Sequence, residues 1–315
     1  MQTGGKVMKF TKPDNERIIK MLKYPEGKID MVLDTDTYNE VDDQFALVYA
    51  LSSPERLNVK AVYAAPFFNN RSAGPKDGME KSYNEIIRLL GKMDISPEGF
   101  VYKGSDSYLK DTDRPVSSEA AKNIIELSKN HSEENPLYIA AIAAITDVAS
   151  AILMAPEIIN KIVVVWLGGH PLYWKNTREF NLYQDVLSAK VIFDSGVPVV
   201  QIPCMGVASH LLTTVPELEA YLSGKNAICD ALVQLFKAYK SDRFGWAKEI
   251  WDISTIAYLI NEKWVPTDMV HSPIVTDEGT WSKDTGRHFI KTATFIHRNE
   301  VFRDMFRKLG NRKDI

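Results

Sequence analysis

Cysteine is scarce: Cys204 and Cys229 are the only two in 315 residues, and they make no C-x-x-C pair. That excludes a disulfide-stapled scaffold and a redox motif, and it suits a reducing compartment. Long apolar runs are missing as well. The longest, Leu137 to Ile145, has nine residues, whereas a bilayer span needs ~20. The first 25 residues carry Lys6, Lys9, Lys12, Arg17 and Lys20 without an apolar block behind them. A secretory signal would need that block. No charge sign dominates: 38 Lys and Arg against 41 Asp and Glu leave a net charge of −3. A nucleic-acid partner or an anionic membrane would call for a basic face. No Pro/Gly/Ser-rich linker and no internal repeat divides the chain. No Walker-type or G-x-G-x-x-G phosphate loop is present, and none of the six histidines forms an H-E-x-x-H pair. The expectation is a cytoplasmic protein with an N-terminal extension over 1–25 and one domain over 26–315.

What is present alternates. Short apolar runs at Ile29–Leu33, Val59–Ala65, Leu137–Ala141, Ile162–Leu167 and Val197–Ile202 read as strands. Several are apolar throughout, as strands buried on both faces are. Between them lie segments of helical period at Asp43–Leu51, Glu80–Leu90, Ser117–Lys129, Asp147–Met154 and Asp185–Phe193. Pro216 opens a further helix, Ile253–Ile260 reads as another, and Glu300–Leu309 closes the chain. Late strands are expected at Met269–Val275 and Phe289–Ile296. This order predicts an α/β single domain with a mostly parallel central sheet and helices on both faces, a Rossmann-like core. In such folds ligands bind beyond the carboxyl ends of the strands.

The residues beyond the first strand are unusual. Residues 34 to 43 read Asp-Thr-Asp-Thr-Tyr-Asn-Glu-Val-Asp-Asp, five carboxylates in ten positions, and the next basic residue is Arg56. Like charges this close repel, and burial sharpens the cost. A helix cap would use one or two acids. Five fit a bound divalent cation, and an all-oxygen donor set favours Ca²⁺ or Mg²⁺ over Zn²⁺. Asp34-Thr35-Asp36-Thr37 also resembles the D-x-D opening of haloacid-dehalogenase-type phosphatases, with Asp34 as nucleophile and Asp36 beside it. The acidic pair that family needs after a later strand is replaced here by Gly168-Gly169-His170.

The broader pattern resembles the inosine-uridine nucleoside hydrolase family over about Ile29 to Ile296. Strand, D-x-D, turn and D-D entering a helix are carried by Asp34, Asp36, Asp42 and Asp43. The turn here has five residues, Thr37 to Val41, where most members have three, and the extra length includes Glu40. Asn69 follows the second strand, Ile145-Thr146-Asp147 resembles the family's L-T-N, and Glu179-Phe180-Asn181 with Asp185 matches E-F-N-x₃-D. Trp251-Asp252 stands where many members carry His-Asp, and purine-specific members share this Trp-Asp.

The resemblance implies N-glycosidic hydrolysis of ribonucleosides by a calcium-bound water. It implies Asp36 as general base, with Asp36, Asp43, the Thr146 carbonyl and Asp252 as Ca²⁺ ligands. Asp42, Asn181 and Asp252 would grip the ribose 2′- and 3′-hydroxyls, Asn176 and Glu179 the 5′-hydroxyl, and Asn69 would lie near the sugar. Trp251 would stack on the base, with Trp174, Trp246, Phe67 and Phe68 as further aromatic wall. A homodimer or homotetramer is implied, and a non-catalytic nucleoside-binding protein is the other use of the same groups.

Overall fold

The computed structural model describes residue 10 and residues 14–312. Residues 1–9, 11–13 and 313–315, at the ends of the expected extension and domain, lie outside the described residues.

The strands form where the apolar runs lie. β1 (Ile29–Thr35), β2 (Leu57–Ala64), β3 (Val101–Lys103), β4 (Leu137–Ala141), β5 (Ile162–Leu167), β6 (Val199–Ile202), β7 (Thr267–His271) and β8 (Phe289–Ala293) make one sheet. Their spatial order is β3-β2-β1-β4-β5-β6-β8-β7. All neighbours run parallel except β7, which is antiparallel to β8. Successive residues point to opposite faces. Met31 and Leu33 therefore enter one core and Val32 the other, and Val163 and Val165 part likewise from Val164 and Trp166. With a core on each side, neither face of β1 or β5 has a place for polar alternation.

Helices Asp43–Leu51, Ile253–Ile260 and Arg298–Asn311 cover the first face, and Glu119–Ser128, Thr146–Met154 and Val186–Ser195 the second. The Val186–Ser195 helix stops at Gly196, whose φ of 77° is open to glycine at little cost. The chain leaves β1 towards β2 on one side, while β4 lies on the other. This reversal of strand order opens a crevice at the carboxyl ends of β1 and β4, and it is there that the acidic loop emerges.

Some elements differ from the expectation. Met269–Val275 is not one strand: β7 ends at His271, and Ile274–Val275 pairs instead with Trp281–Ser282. Pro273 has no N–H for a ladder, and Ser272 turns inward, its N–H donating to His288 O at 2.7 Å. The edge strand β3 and the helix Ala227–Tyr239 were not expected. Asn15–Met21 is a helix, capped by the Asp14 carboxylate, which accepts from Glu16 N at 2.9 Å. It buries Ile18, Met21 and Leu22 in the first core. Arg17 ties it to the sheet's other connections, donating to Ile159 O at 3.0 Å and Gly196 O at 3.2 Å.

Because Ile18 is fully buried, Ile18→Ala is expected to cost about 2–5 kcal/mol of unfolding free energy. Urea unfolding of the two proteins measures it, and a difference near zero would show that this helix is only draped on the core.

Candidate active site

Three chain segments converge on the crevice. β1 runs into the acidic loop, whose last two acids enter the Asp43–Leu51 helix. Asp252 stands at the N-cap of the Ile253–Ile260 helix. The segment after β5 supplies His170, Arg178, Glu179, Phe180 and Asn181. Together they enclose a cavity of about 300 Å³, lined also by Asp36, Asn39, Glu40, Ile142, Leu167, Cys204 and Trp251. That is the size of a site for one small ligand.

The floor is acidic and buried. Asp36, Asp42, Asp43 and Asp252 are all buried. Carboxylate oxygens of Asp42, Asp43 and Asp252 lie within 4.8 Å of one another, close enough to hold one metal ion. Asp43 accepts a hydrogen bond from Thr35 Oγ1 at 2.6 Å, while Asp36 Oδ2 is buried without a partner.

The carboxyls titrate high. Burial pushes Asp36 well above the usual range, and Asp43 and Asp42 push it further. Asp252 rises for the same reasons, burial first and then Asp42 and Asp43. Burial raises Asp43 to about 7, with Asp42 adding to it. Asp42 reaches about 6, since Lys248 opposes part of the burial effect. The donors are all oxygens, buried and mutually repelling, and such a set fits a hard divalent cation.

The loop is pinned on its outer side. Gln44 Nε2 donates to Thr37 O at 2.6 Å, and Asn39 N to Asp36 O at 2.7 Å. Glu40, the acid in the lengthened turn, accepts from Lys248 Nζ at 2.5 Å.

The ribose-side residues divide. Glu179 and Asn181 line the cavity. The Glu179 carboxylate caps the Phe180–Gln184 helix and accepts from Gly169 N, Asn181 N and Leu182 N at 2.8–3.0 Å. Burial still lifts it to about 7, against those three bonds. Asn181 Nδ2 donates to Leu167 O at 3.0 Å, which leaves its carbonyl oxygen for a ligand. Asn69 stands one layer back, donating to Asn39 Oδ1 at 2.6 Å. Asn176 is not on the wall; its side chain accepts from Arg178 N at 3.1 Å.

Three expectations stand differently in the structure. Thr146 is not on the cavity wall; its hydroxyl donates to Asp185 Oδ2 at 2.7 Å, a side-chain bond that does not place the main-chain carbonyl expected at the metal. The wall beyond β4 is Ile142, whose N–H donates to Asp34 O at 2.9 Å. Asp34 is fully buried, absent from the wall, and faces Asp147 and Tyr63. It cannot meet a phosphate ester, so the phosphatase reading fails. The aromatic wall is also different. Phe67 is core, Phe68 points out at 54% exposure, and Trp246 stacks on Tyr239. Trp174 touches the site only through His170, with ring centroids 6.1 Å apart. The lining rings are Trp251, Phe180 and His170. Ile142 was legible only as a residue directly after a strand. His170 was legible as the polar residue after the Gly168-Gly169 turn.

The model of the inosine-uridine preferring nucleoside hydrolases matches residues 31–302. The chain belongs to that family. It is a ribonucleoside hydrolase. A relative from Klebsiella pneumoniae, described as pyrimidine-specific ribonucleoside hydrolase RihA, is 29% identical over 75% of this chain and 83% of its own. A similar RihA from Escherichia coli is 28% identical over 71% of this chain and 80% of its own. Among solved structures, a plant nucleoside hydrolase, PpNRh1, has a TM-score of 0.69 at 18% identity, covering 90% of this chain and 99% of its own. A purine-preferring ribonucleoside hydrolase from Gardnerella vaginalis has a TM-score of 0.67 at 22% identity, covering 90% and 98%. These structural likenesses establish the fold. Among the described residues no helix is long and apolar enough to cross a membrane.

The titration of the floor has a measurable sign. Asp42 at about 6, and Asp43 and Glu179 at about 7, all lie above their unfolded values of about 4. The folded state then binds more protons than the unfolded one, so stability falls as pH rises through these values. Protein stripped of metal by chelation is expected to melt lower at about pH 8 than at about pH 5. A divalent cation held by the folded floor and not by the unfolded chain would remove most of that loss. A chelated melting point that is flat or rises with pH would contradict the assignment.

Proposed function

We propose that the enzyme cleaves the N-glycosidic bond of purine ribonucleosides with a water activated at the acidic floor, and that Ca²⁺ is the ion held there. The carrying observation is the buried Asp36 Oδ2, without a partner, beside three carboxylates grouped closely enough for one ion. Asp36, Asp43 and Asp252 would hold the metal, with Asp42 at its edge. Where a main-chain oxygen is needed from the end of β4, the carbonyl of Ile142, a wall residue, would serve in place of that of Thr146, which is not on the wall. A divalent cation in this position supplies electrostatic polarisation of the attacking water.

The chain's own groups do the rest. Asp36 accepts the water's proton as it adds to the sugar carbon. Asp42, Asp252 and Asn181 offer acceptors to the 2′- and 3′-hydroxyls, and Glu179 faces the 5′ end, with Asn176 and Asn69 supporting the loops from behind. Carboxylates and amides suit vicinal diols because each hydroxyl both donates and accepts. Binding energy from the ribose is thereby available for orientation at the reacting carbon.

The purine preference is supported by Trp251 and Phe180 on the wall, since the larger π-face gains more from aromatic contact. The RihA relatives are described as pyrimidine-specific, which supports uridine and cytidine as the second reading. A homodimer or homotetramer fits the exposed Tyr173, Tyr183 and Phe68 near the mouth.

Ribose release from inosine, guanosine, uridine and cytidine, with and without EDTA, tests the reading. Release is expected to stop on chelation and to return with Ca²⁺, with kcat/KM higher for the purines. Pyrimidine preference in this assay would transfer the base assignment to the second reading. Asp36→Ala is expected to lower kcat by about 10²–10⁴-fold while the nucleoside still binds. Unchanged turnover in that variant would exclude Asp36 as the base, and a protein that binds nucleosides without releasing ribose would be a binder.

A further inference from the structure

The wall carries one proton-exchanging group that this chemistry leaves unused. His170 follows β5 and lines the cavity, half-buried. Its backbone is fixed on both sides: its N–H donates to Thr177 Oγ1 at 3.0 Å, and its carbonyl accepts from Trp281 Nε1 at 3.0 Å. The imidazole packs against Trp174. Among the described residues Nδ1 is buried with no hydrogen-bond partner. A histidine that served only packing would have that nitrogen satisfied, because a lone buried polar atom is costly.

With the ribose on the acidic floor, the base must lie against the remaining wall, which is Leu167, His170, Phe180, Cys204 and Trp251. A base leaving with the electron pair of the glycosidic bond is a poor anion and needs a proton. The other nearby groups do not supply one. The floor carboxylates are committed to the cation and the diol. The Arg178 guanidinium is held outward, its Nε donating to Glu278 O at 2.8 Å. Burial pushes the Cys204 thiol up, and the Glu179 charge pushes it further. The indole of Trp251 is not an acid.

We propose that His170 is the acid that protonates the departing base. The inference rests on the nucleoside-cleaving reading above. As the C1′–N bond breaks, its electron pair goes to the base nitrogen, and the imidazolium proton of His170 moves to the base. The water oxygen bonds to C1′, its proton goes to Asp36, and solvent reprotonates His170 after release. One water is consumed and a neutral base and ribose leave. Burial lowers the His170 pKa, which makes the imidazolium a stronger acid towards the base.

The test compares two leaving groups on the metal-loaded enzyme. Inosine and uridine need a proton on the base, whereas p-nitrophenyl ribofuranoside releases a stable anion without one. His170→Ala and His170→Gln are expected to lose about 10²-fold or more in kcat on the nucleosides, and under about tenfold on the p-nitrophenyl riboside. Turnover of the riboside also reports that both variants are folded and metal-loaded. Equal losses on both substrates, or no loss on the nucleosides, would overturn the role of His170. Wild-type enzyme that cleaves neither substrate would instead defeat the underlying nucleoside reading.

Discussion

Asp36, Asp42, Asp43 and Asp252 share one buried floor, and their mutual repulsion has to be held by the rest of the molecule. They arrive from the end of one strand and the starts of two helices. That origin matters electrostatically, because helix N-termini carry unsatisfied N–H groups and a partial positive charge. Asp42 and Asp43 begin one helix and Asp252 begins another, so both positive ends point at the acids. Neither helix uses these acids in a side-chain cap bond. Their oxygens therefore stay available to a ligand. Both helices are buried over nearly their whole length, so the floor cannot relax by swinging an acid into water. Rigidity of this kind preserves a repulsive cluster that a softer scaffold would disperse.

The lengthened turn adds a fifth acid to this neighbourhood, and the fold answers it with a cation from far along the chain. Lys248 is nearly buried and lies in the short strand pair Lys248–Glu249 with Leu212–Thr213. It bonds Glu40, sits over the Tyr239 ring at 5.2 Å, and its charge reaches Asp42. A partly buried pair of this sort contributes little net stability after desolvation, but removing Glu40 leaves the buried Lys248 charge with less compensation. The pairing gives Glu40, which lines the cavity, a fixed cationic partner on one carboxylate oxygen.

Much of the architecture was legible because burial on both faces leaves a plain signal. β1, β4 and β5 read as apolar runs for that reason, and the helices between them as period-3.6 segments. The elements that escaped have weaker signals. β3 is three residues at the sheet edge with only Val101 buried; β7 was expected but with other bounds, because its half-exposed residues alternate poorly. The acids of the floor were legible as a group, since five carboxylates after a buried strand have few other uses. The wall was less so. Aromatic residues at Phe67, Phe68, Trp174 and Trp246 had the right chemistry, but whether a ring faces a cavity, the core or water depends on contacts distant in sequence. Thr146 and Ile142 are four residues apart, and only Ile142 is on the cavity wall, while the Thr146 side chain is turned to Asp185.

The D-x-D motif shows most clearly how one pattern can serve two chemistries. Asp34 and Asp36 are two residues apart, and continued strand geometry would place both on one face. β1 ends at Thr35, however, and Asp36 has already left the sheet. Asp34 stays in register with Tyr63 and Ala141, its carboxyl enclosed with Asp147, whose Oδ1 is taken by Ser105 and Ser118. Burial and Asp147 drive Asp34 towards the neutral acid, which is the wrong state for a nucleophile. Its contribution to the site runs through its backbone: the carbonyl receives Ile142 N and so sets where the chain leaves β4. A phosphatase needs the first Asp exposed and ionised at the strand end. Here the strand end hides the first and delivers the second to the cavity wall, and that single turn of the backbone sets this site apart from a phosphoryl-accepting one.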